Sequence, residues 1–126
     1  MSERIAIICA GPAGLMAAEV LSQYDYQIDV FEQKPSAARK FLMAGKTGLN
    51  ISHAEPIDTF IQRYDHAVWL SPWVRHWGAQ WIQDWMKGLG IQSYVGSSGR
   101  IFPTEMKAAP LLRAWLKRLA DDGVKR

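Results

Sequence analysis

The apolar positions of the chain change period in an ordered way, and that change predicts the elements. Arg4 to Cys9 is a short β-branched run, with Ile5, Ile7 and Ile8, that ends next to glycine. A run of this kind is expected of a strand buried on both faces. The period then becomes helical, with Leu15, Ala18 and Leu21 on one side. The small residues Ala13, Gly14, Ala17 and Ala18 would let this helix lie close to a sheet. Gln27 to Glu32 reads as a second strand, its apolar content supplied by Ile28, Val30 and Phe31. Strand, helix and strand within about thirty residues is the span of a βαβ unit.

From Gln33 to His53 the periodicity lapses into a loop rich in glycine and lysine, longer than a simple connector needs to be. Pro56 to Tyr64 reads as a short helix opened by proline. Ser71-Pro72 repeats that start signal, serine capping and proline at the first helical position, for a helix running to about Lys87 before Gly88 and Gly90 stop it. Ile91 to Val95 and Arg100 to Phe102 flank Gly96-Ser97-Ser98-Gly99, the pattern of a hairpin. Lys107 to Ala120 is the last helix, its stripe formed by Leu111, Leu112, Trp115, Leu116 and Leu119. Gly123 then stops it, and Val124 is expected to open a further strand that the chain does not finish.

This order makes the fold class α/β: the N-terminal part of a Rossmann-type domain, opening with βαβ, followed by a helical segment with a short hairpin. The expected organisation is one partial domain. Residues 1–53 form the βαβ dinucleotide-binding unit and its cofactor loop, 54–106 a helical and hairpin insertion, and 107–126 a helix leading to a missing strand.

Composition narrows the class without changing it. With 48% hydrophobic and 21% charged residues in 126, the chain is an ordinary globular mixture and not a disordered one. Its net charge of +3 is spread without a run of like charges or a nucleic-acid motif, so no nucleic-acid partner is expected. Cys9 is the only cysteine, which leaves no disulfide framework and no cysteine-based zinc site. His53, His66 and His76 lack metal-ligand spacing, and no metal site is expected. The apolar run from Ile5 to Ala10 is too short for a membrane span and lacks the flanks of a signal peptide, so a cytoplasmic protein without a membrane partner is expected.

The candidate chemistry lies at Cys9-Ala10-Gly11-Pro12-Ala13-Gly14, between the first strand and helix, with Glu32 about 20 residues beyond. Gly11 would let a pyrophosphate approach the backbone, and Gly14 would let helix and strand pack closely. The helix start just after Pro12, at Ala13 and Gly14, offers free amides and partial positive charge to phosphates. Glu32 is placed to accept hydrogen bonds from ribose hydroxyls. The fingerprint departs from its usual form at Cys9, where the first glycine normally stands, so the first turn is expected to be strained or displaced. Lys34, Arg39 and Lys40 suit phosphate or ribose contacts, while Gly45 and Gly48 would let backbone approach a ring system. A solvated basic loop is the plain alternative.

Trp69, Trp73, Trp77, Trp81 and Trp85 recur every fourth residue, and the last four would cover one broad face of the predicted helix. Core or domain packing is the simpler reading. A stacking wall for a flat substrate, or a surface for a partner or for self-association, is the other.

Three stretches together resemble a known family, the bacterial FAD-dependent flavoproteins related to aminoacetone oxidase, often labelled NAD(P)/FAD-dependent oxidoreductases. They are Ala10-Gly11-Pro12-Ala13-Gly14-Leu15-Met16-Ala17-Ala18-Glu19, then Arg39-Lys40-Phe41-Leu42-Met43-Ala44-Gly45-Lys46 with Gly48-Leu49-Asn50, and Gly96-Ser97-Ser98-Gly99-Arg100-Ile101-Phe102-Pro103. The resemblance implies FAD held by the glycine turn and Glu32, with the loop from Arg39 to Asn50 running along the pyrophosphate toward the flavin. NAD(P)H would be a possible electron donor. It also implies a longer two-domain parent whose FAD domain is assembled from separated segments, this chain supplying the first, with the stretch from Asp65 to Pro103 beginning an inserted portion near the substrate.

The functional expectation is therefore the FAD-binding portion of an oxidoreductase acting on a small organic molecule. The flavin performs the redox chemistry, so no side chain is nominated as catalytic. This chain alone is expected to be inactive and to bind FAD weakly or not at all. The alternative is a non-catalytic nucleotide-binding or interaction module whose partner surface is the tryptophan-rich helix. An NAD-binding dehydrogenase domain shares the turn and the acid but, by the same resemblance, not the long Arg39-to-Asn50 loop.

Overall fold

The computed structural model describes residues 2–126. Strand β1 (Glu3–Ile8), helix α1 (Pro12–Leu21) and strand β2 (Tyr26–Phe31) form the predicted unit, with β1 and β2 parallel and Glu3 opposite Tyr26 through Ile8 opposite Phe31. Helix α1 starts where proline needs no amide donor, and Leu15 and Ala18 are fully buried against the sheet. Gly14 sits between helix and strand, whereas Ala13 and Ala17 face outward, so only part of the small-residue stripe serves the close packing.

On the far edge of β2 the backbone of Lys125 makes a parallel bridge to Asp29. Val30 N–H donates to the Lys125 carbonyl at 2.7 Å, and Lys125 N–H donates to the Ile28 carbonyl at 3.0 Å. The residues after Gly123 thus lie alongside β2 as a third parallel line, on the opposite side from β1. Val124 is buried.

Burial of β1 differs from the expectation. Ile5 and Ile7 are half-buried, while Ala6 and Ile8 are exposed, Ile8 at 72%. Helices cover one face of the sheet only, and among the described residues nothing lies on the other. An all-apolar strand reports what wants cover, not what supplies it.

The stretch expected as a loop holds two elements. Helix α2 (Arg39–Ala44) begins after Ala38, a buried residue at φ 55, and strand β3 (Ser52–His53) follows. Arg, Lys, Phe, Leu, Met and Ala are fair to strong helix formers, and the glycines and lysines around them hid the short run. Helix α3 (Ile57–Ile61) then opens after Pro56.

The single helix expected from Ser71 to Lys87 is two. Helix α4 (Ala67–His76) contains Pro72 in its interior, and α5 (Ala79–Gly88) starts at Gly78 in extended conformation. Ser71 is therefore not a cap. Gly90, at φ 82, ends α5, with Ile91 N–H donating to the Met86 carbonyl at 2.9 Å. The predicted hairpin is present as β4 (Ser93–Val95) and β5 (Arg100–Pro103), and β5 also pairs with β3 in the order β3-β5-β4.

Helix α6 (Ala108–Asp121) joins the two parts. Its Leu112, Trp115 and Leu119 pack with Leu15, Ala18, Ile28 and Val30, while Ala108 and Leu111 pack with Leu49, Met86, Ile91 and Ile101. A buried carboxylate strengthens the junction: Glu19 of α1 accepts from Trp85 Nε1 at 2.9 Å and faces Arg118 Nη1 at 3.5 Å.

Candidate functional site

The turn between β1 and α1 is held from two sides. Cys9 N–H donates to the Phe31 carbonyl at 2.7 Å, and the Ala10 carbonyl accepts from Ala38 N–H at 2.8 Å. Cys9 adopts φ 86, the left-handed conformation that glycine would take without steric cost. The expected strain is therefore present at the position where the fingerprint departs.

The two glycines of the turn have different reasons. At Gly14 a Cβ would collide with the carbonyl oxygen of Cys9 and come within 3.3 Å of the Ile7 side chain, so packing within the protein requires glycine. Gly11 has φ −80 and ψ 179, extended backbone open to any residue, and a Cβ there would meet nothing within 4 Å. Neither conformation nor internal packing demands glycine at 11. The space kept clear opens outward, at the start of α1, where no side chain caps the helix amides.

Glu32, just past the end of β2, turns back onto this bend. Its Oε2 accepts from Lys34 N–H at 3.0 Å and its Oε1 from Ala10 N–H at 2.9 Å. The amides of Lys34 and Ala10 hold its carboxyl below the ordinary carboxylate range, against a smaller opposing effect of desolvation. Each oxygen keeps lone-pair capacity for a further donor.

Cys9, Gly11, Pro12, Glu32, Lys34, Ser36, Arg39 and Lys40 line an open cleft of about 380 Å³. Of the residues singled out from sequence, the fold brings Gly11, Pro12, Glu32, Lys34, Arg39 and Lys40 together there. Ala13 and Gly14 form the adjoining first turn of α1. Asn50 does not line the cleft: its neighbours are tied to the other half of the molecule, Leu49 N–H donating to Met106 at 2.6 Å and Ile51 N–H to Ile101 at 2.9 Å. Among the described residues Lys34, Arg39 and Lys40 form no salt bridge.

A larger cavity, about 420 Å³, lies between β3, α3 and α5 and is lined by His53, Glu55, Phe60, Arg75 and Trp81. Its polar side chains other than His76 have hydrogen-bond partners within the fold. His53 Nδ1 accepts from Glu55 N–H at 3.1 Å, which assigns the ring proton to Nε2 and a bond to the Ser98 carbonyl at 3.0 Å. Glu55 pairs with Arg63, whose guanidinium holds the Glu55 carboxyl below its ordinary range, and Arg75 pairs with Asp58. Cavity size therefore does not decide the site; the unused polar groups beside the glycine turn do.

The tryptophans do not share one face. Trp73 and Trp77 stack at 6.1 Å and, with Trp69, are exposed, while Trp81 and Trp85 stack at 6.2 Å and Trp85 meets buried Trp115 edge-on. Among the described residues no group of three or more metal-ligating side chains gathers, and no helix is long and apolar enough to cross a membrane.

Comparison with known proteins bears on the same features. No curated protein matches the chain. The crystal structure of Thermovibrio ammonificans THI4 superposes with a TM-score of 0.58 at 15% identity, over 98% of this chain and 37% of that one. The chain thus spans little more than a third of that protein's length, and at this identity the likeness is one of fold. Residues 3–126 match the family described as HI0933-like protein Rossmann domain. A glycine turn closed by an acid after the second parallel strand, within a match of that extent, makes this chain a member of the HI0933-like Rossmann-domain family.

Proposed function

We propose that the chain is the FAD-binding portion of a flavin-dependent oxidoreductase, and that it holds the ADP half of the cofactor. The observation that carries this is Gly11, a glycine that the protein's own conformation and packing do not require, with clear space beside it at an uncapped helix start. In this reading the amides at the start of α1 meet the pyrophosphate, Arg39 and Lys40 add charge, and Glu32 accepts from the ribose hydroxyls. Lys34, beside Glu32, steadies the same end. Ala13 and Gly14 supply amides and close packing. Asn50 belongs to a segment directed toward the flavin end. When bound, the flavin supplies hydride or electron transfer to a small organic substrate, with NAD(P)H a possible donor. The parent would be an aminoacetone-oxidase-like cytoplasmic flavoprotein, in which residues 54–106 form an insertion and further strands complete the sheet.

Titration of the 126-residue chain with FAD, ADP and FMN tests the reading. FAD and ADP are expected to bind weakly and alike, and FMN, which lacks the ADP portion, not measurably. FMN binding as well as ADP would place recognition elsewhere and end the proposal.

A second reading rests on α4, which buries none of its residues and exposes Trp69, Trp73 and Trp77. In it the chain is a nucleotide-binding or interaction module that self-associates through this face. Sedimentation of the chain and of a Trp69→Ser, Trp73→Ser variant separates the two, since only this reading expects a concentration-dependent shift that the variant abolishes.

A further inference from the structure

Where α1, α2, α5 and α6 meet the residues before β3, the fold leaves an open apolar pocket of about 180 Å³. Met16, Phe41, Ile51, Ile82 and Trp85 line it half-buried, and buried Trp115 forms a further wall. Pro12 is the one residue it shares with the cleft over the glycine turn, so an occupant lies beside that cleft without using its polar groups. No charged residue lines the pocket, and its two indole nitrogens are not on offer: Trp85 Nε1 is bonded to Glu19, and Trp115 Nε1 is buried. An ion entering here would lose its hydration for nothing in return. An isoalloxazine, three fused rings edged with carbonyl and nitrogen acceptors, would find neither the room nor an accessible donor.

We propose that this pocket is a binding site for a small, uncharged, single-ring aromatic molecule. Size and lining both select that class. An apolar cavity of about 150 Å³ is enough to hold a benzene ring. The rings of Trp85 and Trp115 stand at 84° to one another with centroids 4.8 Å apart. A ring placed in that corner can lie flat on one indole and edge-on to the other, the two arrangements that aromatic pairs favour, with the Met16 thioether as a further polarizable contact. The site is independent of the dinucleotide reading, and its test uses no nucleotide.

The test titrates the 126-residue chain, its methionine methyl groups isotope-labelled for NMR, with toluene and with benzoate, which keeps the ring and replaces the methyl group by a carboxylate. Toluene is expected to shift the Met16 methyl signal saturably, with a Kd on the order of 1 mM. The signal of Met43, 77% exposed and outside the pocket, should stay in place, and benzoate should move neither. Ile82→Phe, which puts a ring of the protein's own into the pocket, is expected to weaken toluene by about tenfold or more. Ile51→Phe fills the pocket from another wall and decides the matter should the first variant fail to fold. Absence of a saturable Met16 shift, an equal response to benzoate, or undiminished toluene affinity in a folded, filled variant would each overturn the proposal while leaving the nucleotide cleft untouched.

Discussion

The glycine-turn region and the tryptophan-bearing segment spend their side chains in opposite ways. Around the turn Lys34, Arg39 and Lys40 form no salt bridge among the described residues and surround an open cleft, while Leu15, Ala18 and Val30 are buried beneath. In the segment from His53 to Trp81 four of the five charges pair off, Glu55 with Arg63 and Asp58 with Arg75, while Trp69, Trp73 and Trp77 face outward. The first region keeps polar capacity in reserve, as a small-ligand site must. The second keeps apolar surface in reserve, as a packing or contact face does.

The largest effects should come from the two glycines, which divide stability from binding. Gly14→Ala forces a Cβ onto the Cys9 carbonyl and is expected to cost about 3 kcal/mol, read as a lower urea midpoint at unchanged m value. Gly11→Ala meets nothing inside the protein and should cost no more than about 1 kcal/mol, the loss of a helix N-cap glycine. It should nevertheless weaken ADP about tenfold or more, because the methyl group stands where phosphate approaches. If both variants lost stability equally, the clear space at Gly11 would not belong to a ligand.

Glu32 gives the next largest effect. Its folded pKa lies below the unfolded 4.5, so the stability it contributes is complete above that value and is lost as pH falls through the lowered folded pKa. ADP affinity should follow the same course, level from neutral pH to about 4.5 and falling below it, with Glu32→Gln weakening binding about tenfold at neutral pH and removing the acid limb. A fall between pH 7 and 5 would assign the control to another group.

The parts of this site that the sequence made legible obey local rules: a strand, a glycine bend, a helix start with proline at its first position and an acid after the next strand. Lys34, Arg39 and Lys40 were legible by charge alone, and the fold adds the reason they converge, since Ala38 N–H ties the start of α2 to the Ala10 carbonyl. Less legible was whatever depends on more distant chain. The four-residue tryptophan spacing runs straight across the break at Gly78, because two successive helices can carry one apparent period. Nothing in the sequence around Glu19 signals the partners Trp85 and Arg118 that the fold brings to its carboxylate. The strand expected from Val124 had a signal, but its place beside β2 did not, because that comes from pairing across ninety-odd residues of intervening chain.

The inner and outer tryptophans sharpen the contrast at a smaller scale. Trp85→Phe removes the indole donor from the buried Glu19 carboxylate and is expected to cost about 2 kcal/mol. Trp73→Phe, at an exposed site with no hydrogen bond to lose, should stay within about 0.5 kcal/mol. Equal costs in urea denaturation would mean that Trp73 packs within the fold as Trp85 does.

The smallest effect is a gain. Cys9 is exposed, lines the cleft and holds φ 86, a conformation that costs an L residue about 1–2 kcal/mol. Glycine would relieve that cost, and its greater freedom in the unfolded chain would return about half of it. Cys9→Gly is therefore expected to raise stability by about 0.5–1 kcal/mol, with ADP affinity unchanged or improved, since the thiol side chain leaves the cleft and the bonds of Ala10 to Glu32 and Ala38 remain. A loss of stability would show that the thiol is packed into the turn and that the departure from glycine serves the fold. A gain with weakened ADP binding would show that the left-handed cysteine shapes the cleft for the ligand, joining it to the side of the molecule that holds its polar groups in reserve.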